Sequence, residues 1–495
     1  MRTRTRDAQV IVVGAGFSGI GAAIRLRQEG VRDLLVLEKS PDVGGTWRDN
    51  TYPGCACDVP SVLYCYSFAR NPGWSKTFAG QREIHAYLRA TTDRFGVGDV
   101  LRCGVDVRRA VWDKAAGRWR LETSDGVYTA RALVMATGTW HRPRWPDVPG
   151  LDGFPGPVFH TARWDHSVDL TGRRVAVVGS GASAVQVVPA IEGRAAAVHL
   201  FQRTAQWLLP RPDFAVPGAL RRGPAQRVMR AGQYWVQEGF GYAFRHPRLA
   251  RLLQVGGRLH LRIAVRDRRL REALTPDHTL GCKRLLSSST YYPVLAKPHV
   301  HLHPTAVAAV RGDQVVGADG TSAAVDAIVL ATGFHVGAVP LARSVHGVGG
   351  RTLHDTWRHG REAYLGTTVS GFPNLFLLLG PNVLTGATSA VTVLEAQLTY
   401  LCAAVHHLSG VRSMDITPAV QAAYNAEVQK ALRTTVYNTG GCTSYYIAPD
   451  GRNTFCWPWS TGRLVRRLGR FDPTVYTTWK EPVNDPPTAT SPAAV

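Results

Sequence analysis

The chain has 495 residues, of which 45% are hydrophobic and 19% charged, and its formal net charge is +22. That length has room for about three domains, and the composition excludes a disordered chain. No apolar run approaches the roughly 18 residues of a membrane span, and the arginine excess is spread along the chain without a basic tail or nucleic-acid module, so neither a membrane span nor a nucleic-acid partner is expected.

The leader MRTRTRDAQV is basic and lacks the apolar core of a signal peptide, so it reads as a frayed approach to the first strand. A buried, β-branched run predicts that strand over Gln9–Val13. It opens into Gly14-Ala15-Gly16-Phe17-Ser18-Gly19, a helix is predicted over 20–29, and a second strand over 34–37 ends on Glu38. Strand, glycine turn, helix, strand and acid together form a dinucleotide fingerprint. Gly14 permits the tight turn, Gly16 lets the backbone approach a pyrophosphate, and Gly19 lets the helix pack on the strand. The helix N-terminus then directs free N–H groups at the phosphates. A carboxylate at Glu38 accepts from ribose hydroxyls and repels a 2′-phosphate, which selects FAD or NAD over NADP.

Val43-Gly44-Gly45-Thr46-Trp47 follows and resembles the G-G-T-W element of flavin monooxygenases, which singles out FAD. The first cofactor set is Gly14, Gly16, Phe17, Ser18, Gly19, Glu38, Gly45, Thr46 and Trp47, to which the family resemblance adds Asp58, Tyr64 and Val107.

The fingerprint recurs in mid-chain. A strand over 174–178 turns through Gly179-Ser180-Gly181-Ala182-Ser183-Ala184 into a helix over 185–191. Alanine at the third glycine position is compatible with the motif. The next strand, 198–201, ends in Gln202-Arg203-Thr204 instead of an acid. A guanidinium pairs with a 2′-phosphate where a carboxylate would repel it, so this site is expected to take NADPH. Its set is Gly179, Gly181, Ala182, Ser183, Gln186, Arg203 and Thr204, and a family resemblance in the C-terminal region adds Tyr445.

The runs 132–138 and 326–333 are near-copies, each an apolar strand ending in Ala-Thr-Gly where the chain crosses between nucleotide domains. The stretch 376–382 reads as a later strand and loop that returns to the flavin. Between about 217 and 277 the Rossmann pattern is absent, and the Arg, Leu, Tyr and Phe content predicts inserted helices. The predicted fold is α/β, with two Rossmann-like dinucleotide-binding domains and a helical insertion. The predicted division is 1–145 (FAD domain, first part), 146–216 (NADP domain, first part), 217–277 (helical insertion), 278–380 (NADP domain, second part) and 381–495 (FAD domain, second part, with the C-terminal loop). The eight cysteines contain no C-x-x-C pair and no zinc spacing, so they read as reduced cytosolic thiols, with no metal site and a cytoplasmic location.

The linker between the fingerprints, Phe154-Pro155-Gly156-Pro157-Val158-Phe159-His160-Thr161-Ala162-Arg163-Trp164-Asp165, resembles F-x-G-x-x-x-H-x-x-x-W-[PD], the signature of type I Baeyer–Villiger monooxygenases. Tyr52-Pro53-Gly54 through Asp58 is similar to that family's segment bearing an Asp near the flavin, and Lys283-Arg284 is similar to the segment bearing its central catalytic Arg. Gly451-Arg452-Asn453 resembles an element of the hydroxyacetophenone monooxygenase-like branch. Where that branch has C-x-S-W-Y, this chain has Cys442-Thr443-Ser444-Tyr445-Tyr446, which alters the loop over NADP.

The resemblance implies an FAD-dependent, NADPH-consuming enzyme that inserts one oxygen of O2 beside a ketone carbonyl through a C4a-peroxyflavin, giving an ester or lactone. It implies Arg284 as the catalytic cation and Asp58 as its orienting anion. It also makes a small ketone and O2 the partners, while the sequence assigns no oligomeric state. His160 and Trp164 read as structural couplers of the linker. The alternative reading is a flavin-containing monooxygenase that oxygenates nitrogen or sulfur. A disulfide reductase needs a redox C-x-x-C that this chain lacks.

Overall fold

The computed structural model describes residues 5–221, 223–337 and 339–480. Met1–Arg4 of the basic leader lie outside them. From Thr5 the chain is already strand, pairing Thr5 with Val127, so the expected fraying does not extend into the described part.

The first sheet is built on β1 (Thr5–Val13), β2 (Leu34–Glu38) and β3 (Leu101–Cys103), all parallel. Strand β4 (Val107–Asp113) and β5 (Arg118–Thr123) form an antiparallel extension that leads into β6 (Gly126–Met135), which returns beside β1. Val12 sits between Val36 and Val134 in register. Both faces of these strands are covered, which is why Val10, Ile11 and Val12 are apolar without alternation and fully buried. The helix Phe17–Gln28 packs its Ile20, Ala23 and Ile24 face inward and meets the helix Ala390–His407, where Gly21 leaves room for Leu398 and Tyr66.

The second sheet contains β7 (Val158–His160), β8 (Arg174–Val178) and β9 (Ala197–Phe201), together with Val300–His303 and Ala327–Leu330. All five strands are parallel, with β8 between β9 and Ala327–Leu330. A three-stranded antiparallel meander over 307–324 covers one face, sharing a core with Phe154, Phe201 and Ile328. The helix Ala182–Ile191 covers the other.

Between the strands Leu208–Leu209 and Leu286–Ser287, which pair with each other, the chain forms the helices Gly223–Arg245, Pro247–Ala264 and Arg268–Leu274. Pro247 stands at the first turn of its helix, where a missing N–H costs nothing, and Asp267 caps the next through Leu270 N.

One boundary is corrected. The second part of the NADP domain was expected to run to 380, yet Val345–His346 pairs with β4 and Leu375–Leu377 pairs with β6. The chain has rejoined the first sheet by Val345. The two-residue strand Val345–His346 carries too little pattern to mark that crossing in the sequence, whereas the strand expected from 376 does lie in the first sheet.

Candidate functional site

Both fingerprints leave their sheets in the same way. Gly14 has φ +104°, and a Cβ there would lie 2.6 Å from the Ala136 carbonyl oxygen. Gly179 has φ +127°, and its Cβ would lie 2.3 Å from the Ala331 oxygen. Each first glycine therefore presses on the alanine of one Ala-Thr-Gly repeat, and no side chain fits at either position. The helices that follow have no side-chain cap at Gly16 or Gly181 and no acid in their first turns. The N–H groups of Phe17, Ser18 and Gly19, and of Ala182 and Ser183, precede the first intrahelical bonds, leaving two positively polarised cradles for anions. A Cβ at Gly181 would meet open space. Two uncapped cradles on two Rossmann sheets fit two dinucleotide pyrophosphates.

Around the first cradle, Glu38 is buried and its carboxylate accepts from Ala15 N at 2.8 Å and Ser40 N at 2.9 Å, with Arg48 beside it. Gly45 opens the short helix Thr46–Asp49 and approaches Gly16 closely, a Cβ there lying 3.2 Å from its Cα. Trp47 Nε1 donates to the Tyr64 hydroxyl at 3.1 Å, and Phe17 meets the Tyr64 ring edge-on at 5.1 Å. Val107 opens β4 and is buried in one cluster with Leu37, beside Glu38.

Around the second cradle, Ser180 Oγ donates to the Thr204 carbonyl at 2.7 Å, which fixes the turn after β9, and Arg203 is exposed beyond it. Gln186 bridges two segments. Its amide oxygen accepts from the Tyr52 hydroxyl at 2.8 Å and its nitrogen donates to Ala56 O at 2.9 Å, so its side chain ties the second domain to the loop that carries Asp58. Lys283, to which no role was given, is a cation close enough to Arg203 to feel its charge. Burial, then that repulsion, lowers its pKa. The pair Lys283-Arg284 thus sends one cation toward the second cradle and one toward the first.

Between the cradles, Arg284 Nε and Nη2 donate to Asp58 Oδ2 and Oδ1 at 2.8 and 2.6 Å, a bidentate pair. The Arg284 side chain remains 44% exposed and that of Asp58 17%. Burial pushes the Asp58 carboxyl up, but the charge and hydrogen bonds of Arg284 outweigh it and hold the pKa below the ordinary value. The Asp58 charge drives the Arg284 pKa well above its ordinary value. Both groups stay ionised at any working pH.

Tyr445 lies close enough to exchange charge effects with Arg284, its phenol pushed up to about 12 by burial. Its ring stands edge-on to Trp140 at 5.4 Å and to Phe455 at 5.3 Å. Trp140 sits two residues beyond the first Ala-Thr-Gly, so Tyr445, itself partly exposed, packs beside the end of that strand. The sequence reading missed Trp140, since an isolated aromatic after a strand gives no periodic signal.

The cysteine reading is also corrected. Cys282 and Cys442 form a disulfide across 160 residues, joining the Lys283-Arg284 loop to the Tyr445 segment. The other six are free thiols. The pair was illegible because its partners meet only through tertiary structure. Among the described residues, no group of three or more metal-ligating side chains is placed to hold a metal.

In the linker, His160 is buried on β7, its Nδ1 accepts from Ala162 N at 3.0 Å, and burial lowers its pKa to about 4, so it is neutral. Trp164 packs edge-on against Phe159 at 4.9 Å. Both side chains make these contacts within the linker and its own strand.

Comparison with known proteins agrees with this layout. A family model described as pyridine nucleotide-disulphide oxidoreductase matches residues 11–217. A Baeyer-Villiger monooxygenase of Streptomyces coelicolor is 48% identical over 473 residues, covering 94% of this chain and 91% of that protein. Another of the same description, from Pseudomonas aeruginosa, is 42% identical over 483 residues, covering 95% and 91%. Among solved structures, an oxidized steroid monooxygenase bound to NADP matches with a TM-score of 0.84 at 29% identity, covering 96% of this chain and 100% of that one. A cyclohexanone monooxygenase from Rhodococcus sp. Phi1 bound to NADP+ matches with a TM-score of 0.84 at 26% identity, with the same coverage.

Proposed function

The chain belongs to the Baeyer–Villiger monooxygenases, and on that premise we propose that it converts a ketone to an ester or lactone, with Arg284 as its catalytic cation and Asp58 as the residue that positions it. It is an NADPH-dependent flavin monooxygenase. FAD, reduced by NADPH, supplies the electrons and the activated dioxygen from which one oxygen atom enters beside the carbonyl.

The residues present suit that work. The Gly14–Gly19 cradle takes the FAD pyrophosphate, with Glu38 facing the adenosine ribose. The Gly179–Ser183 cradle takes the NADPH pyrophosphate, and Arg203 with Lys283 receives the 2′-phosphate. Gln186, through Tyr52 and Ala56, keeps the Asp58 loop in step with the NADPH side.

Negative charge develops on oxygen as the insertion proceeds, and a preorganised cation there lowers the barrier. Arg284 supplies a permanent charge, and two hydrogen bonds to Asp58 fix the plane of its guanidinium while 44% of the side chain stays exposed. The bidentate Arg284–Asp58 pair between two nucleotide cradles is the observation that carries this reading. The test is mass spectrometry of products from a ketone panel supplied with NADPH and 18O2. Esters or lactones one labelled oxygen heavier support it, and oxygenation confined to amines or sulfides contradicts it.

A further inference from the structure

The helical insertion has an outer face that nothing in the chain covers. On the helix Pro247–Ala264, Leu249, Leu252, Val255, Leu259 and Ile263 recur every three or four residues and are all exposed, Leu252 by 67% and Ile263 by 73%. The opposite side of the same helix is ordinary core, with Ala250, Gly257 and Leu261 buried and Gly257 set close against Trp207. So this helix is apolar on two faces, one of them spent on the fold. The helix Gly223–Arg245 packs beside it and adds Val228, Trp235 and Tyr242, spaced by seven residues and exposed, Trp235 by 69%. Gly232 and Gly239 lie between them with open space at their Cβ positions. An exposed apolar surface of this extent marks an interaction site.

The charges around it say what it meets. Residues 217–277 hold thirteen arginines against four carboxylates, a net +9 of the chain's +22 in an eighth of its length. Arg251, Arg258 and Arg262 follow helical spacing along one flank of the stripe and are exposed. Neighbouring Arg245 and Arg268 are paired, with Glu238 and Glu272, whereas these three have no carboxylate partner among the described residues. A second copy of the chain would bring the same positive charge against itself. A surface that is apolar below and anionic above complements both features, because arginine stems extend from an apolar bed to the charged layer.

We propose that the outer face of the helices 223–245 and 247–264 docks the enzyme on an anionic lipid leaflet as a peripheral, non-spanning contact. No helix among the described residues is long and apolar enough to cross a membrane. The inner face of the same pair holds Phe244 against Gly281, three residues before Arg284. The proposal is independent of the oxygenation chemistry, and its test does not read activity.

The test is flotation of the FAD-loaded enzyme with vesicles of phosphatidylcholine alone or mixed with phosphatidylglycerol, at low and high salt. The expected result is preferential binding to the anionic vesicles, weakened by salt. Each arginine near such a surface contributes about a fivefold factor, so Arg251→Glu/Arg258→Glu/Arg262→Glu should weaken binding by well over about tenfold. Leu252→Ser/Leu259→Ser/Ile263→Ser should remove the part that survives salt. All six side chains are exposed, so flavin content should be unchanged in both variants. Equal or absent binding to the two vesicle types overturns the proposal. So does sedimentation showing a dimer in vesicle-free solution that the serine variant, but no lipid, dissociates.

Discussion

Arg284 and Asp58 are 226 positions apart in the chain and joined by two hydrogen bonds of 2.8 and 2.6 Å. The carboxylate is the more buried partner, so it fixes the guanidinium rather than the reverse. Asp58→Asn keeps the shape of the site but removes the charge and one acceptor. The expected outcome is retained FAD, near-normal NADPH oxidation, and a lower ester yield per NADPH, with a smaller loss than removal of Arg284 itself. A yield equal to that of the parent enzyme would separate Asp58 from the chemistry.

Lys283 lies close enough to Arg203 to feel its charge, and the proposed function gives both cations to the 2′-phosphate of NADPH. Arg203→Ala should raise KM for NADPH far more than for NADH, by the equivalent of about 1.5–3 kcal/mol, the scale of a hydrogen bond to a charged group. Lys283→Ala should act in the same direction. If each variant affects the two cofactors equally, the cations point elsewhere.

The Cys282–Cys442 bridge holds the segment that carries Tyr445 to the loop that carries Arg284. Intact mass after alkylation in denaturant without reductant should show six modified thiols. Reduction should lower the melting temperature, with a loss of about 2–4 kcal/mol. Eight alkylated cysteines in the unreduced enzyme would show that the bridge does not form.

Asp415 gives a pH signature away from the site. One oxygen accepts from Gly371 N at 2.9 Å and the other is buried without a partner, and burial pushes the carboxyl up to about 7. An acid that holds its proton more tightly when folded loses stability as pH rises from about 4, and the loss levels off once the folded form also ionises near 7. Asp415→Asn does not ionise, so its melting temperature relative to the parent should climb across that window and stay flat above it. A difference independent of pH would contradict the assignment.

How much of this was legible can be judged residue by residue. Both fingerprints could be read because each joins a buried β-branched strand, a glycine turn and a helix in unbroken local order. Arg284 and Asp58 were found through motif resemblance alone, since nothing local links positions so far apart. The bridge, the tie from Gln186 to Tyr52 and Ala56, and the return of the chain to the first sheet at Val345 all depend on contacts between distant segments. Lys283 could have been found: it is a cation adjoining Arg284, and only Arg284 had been given work.

Under the proposed function, Arg284 acts in oxygen insertion and not in flavin reduction. Arg284→Ala should still bind FAD and oxidise NADPH, with its electrons diverted to hydrogen peroxide. Loss of one preorganised electrostatic contact of this kind costs a factor of about 10²–10³. Arg284→Lys should recover little, because an ammonium lacks the planar fork that Asp58 holds. The decisive measurement is ester formed per NADPH consumed, taken beside flavin absorbance so that loss of FAD is recognised. The account predicts a collapse of that ratio with flavin retained, and ketone conversion at the parent's coupling would contradict it.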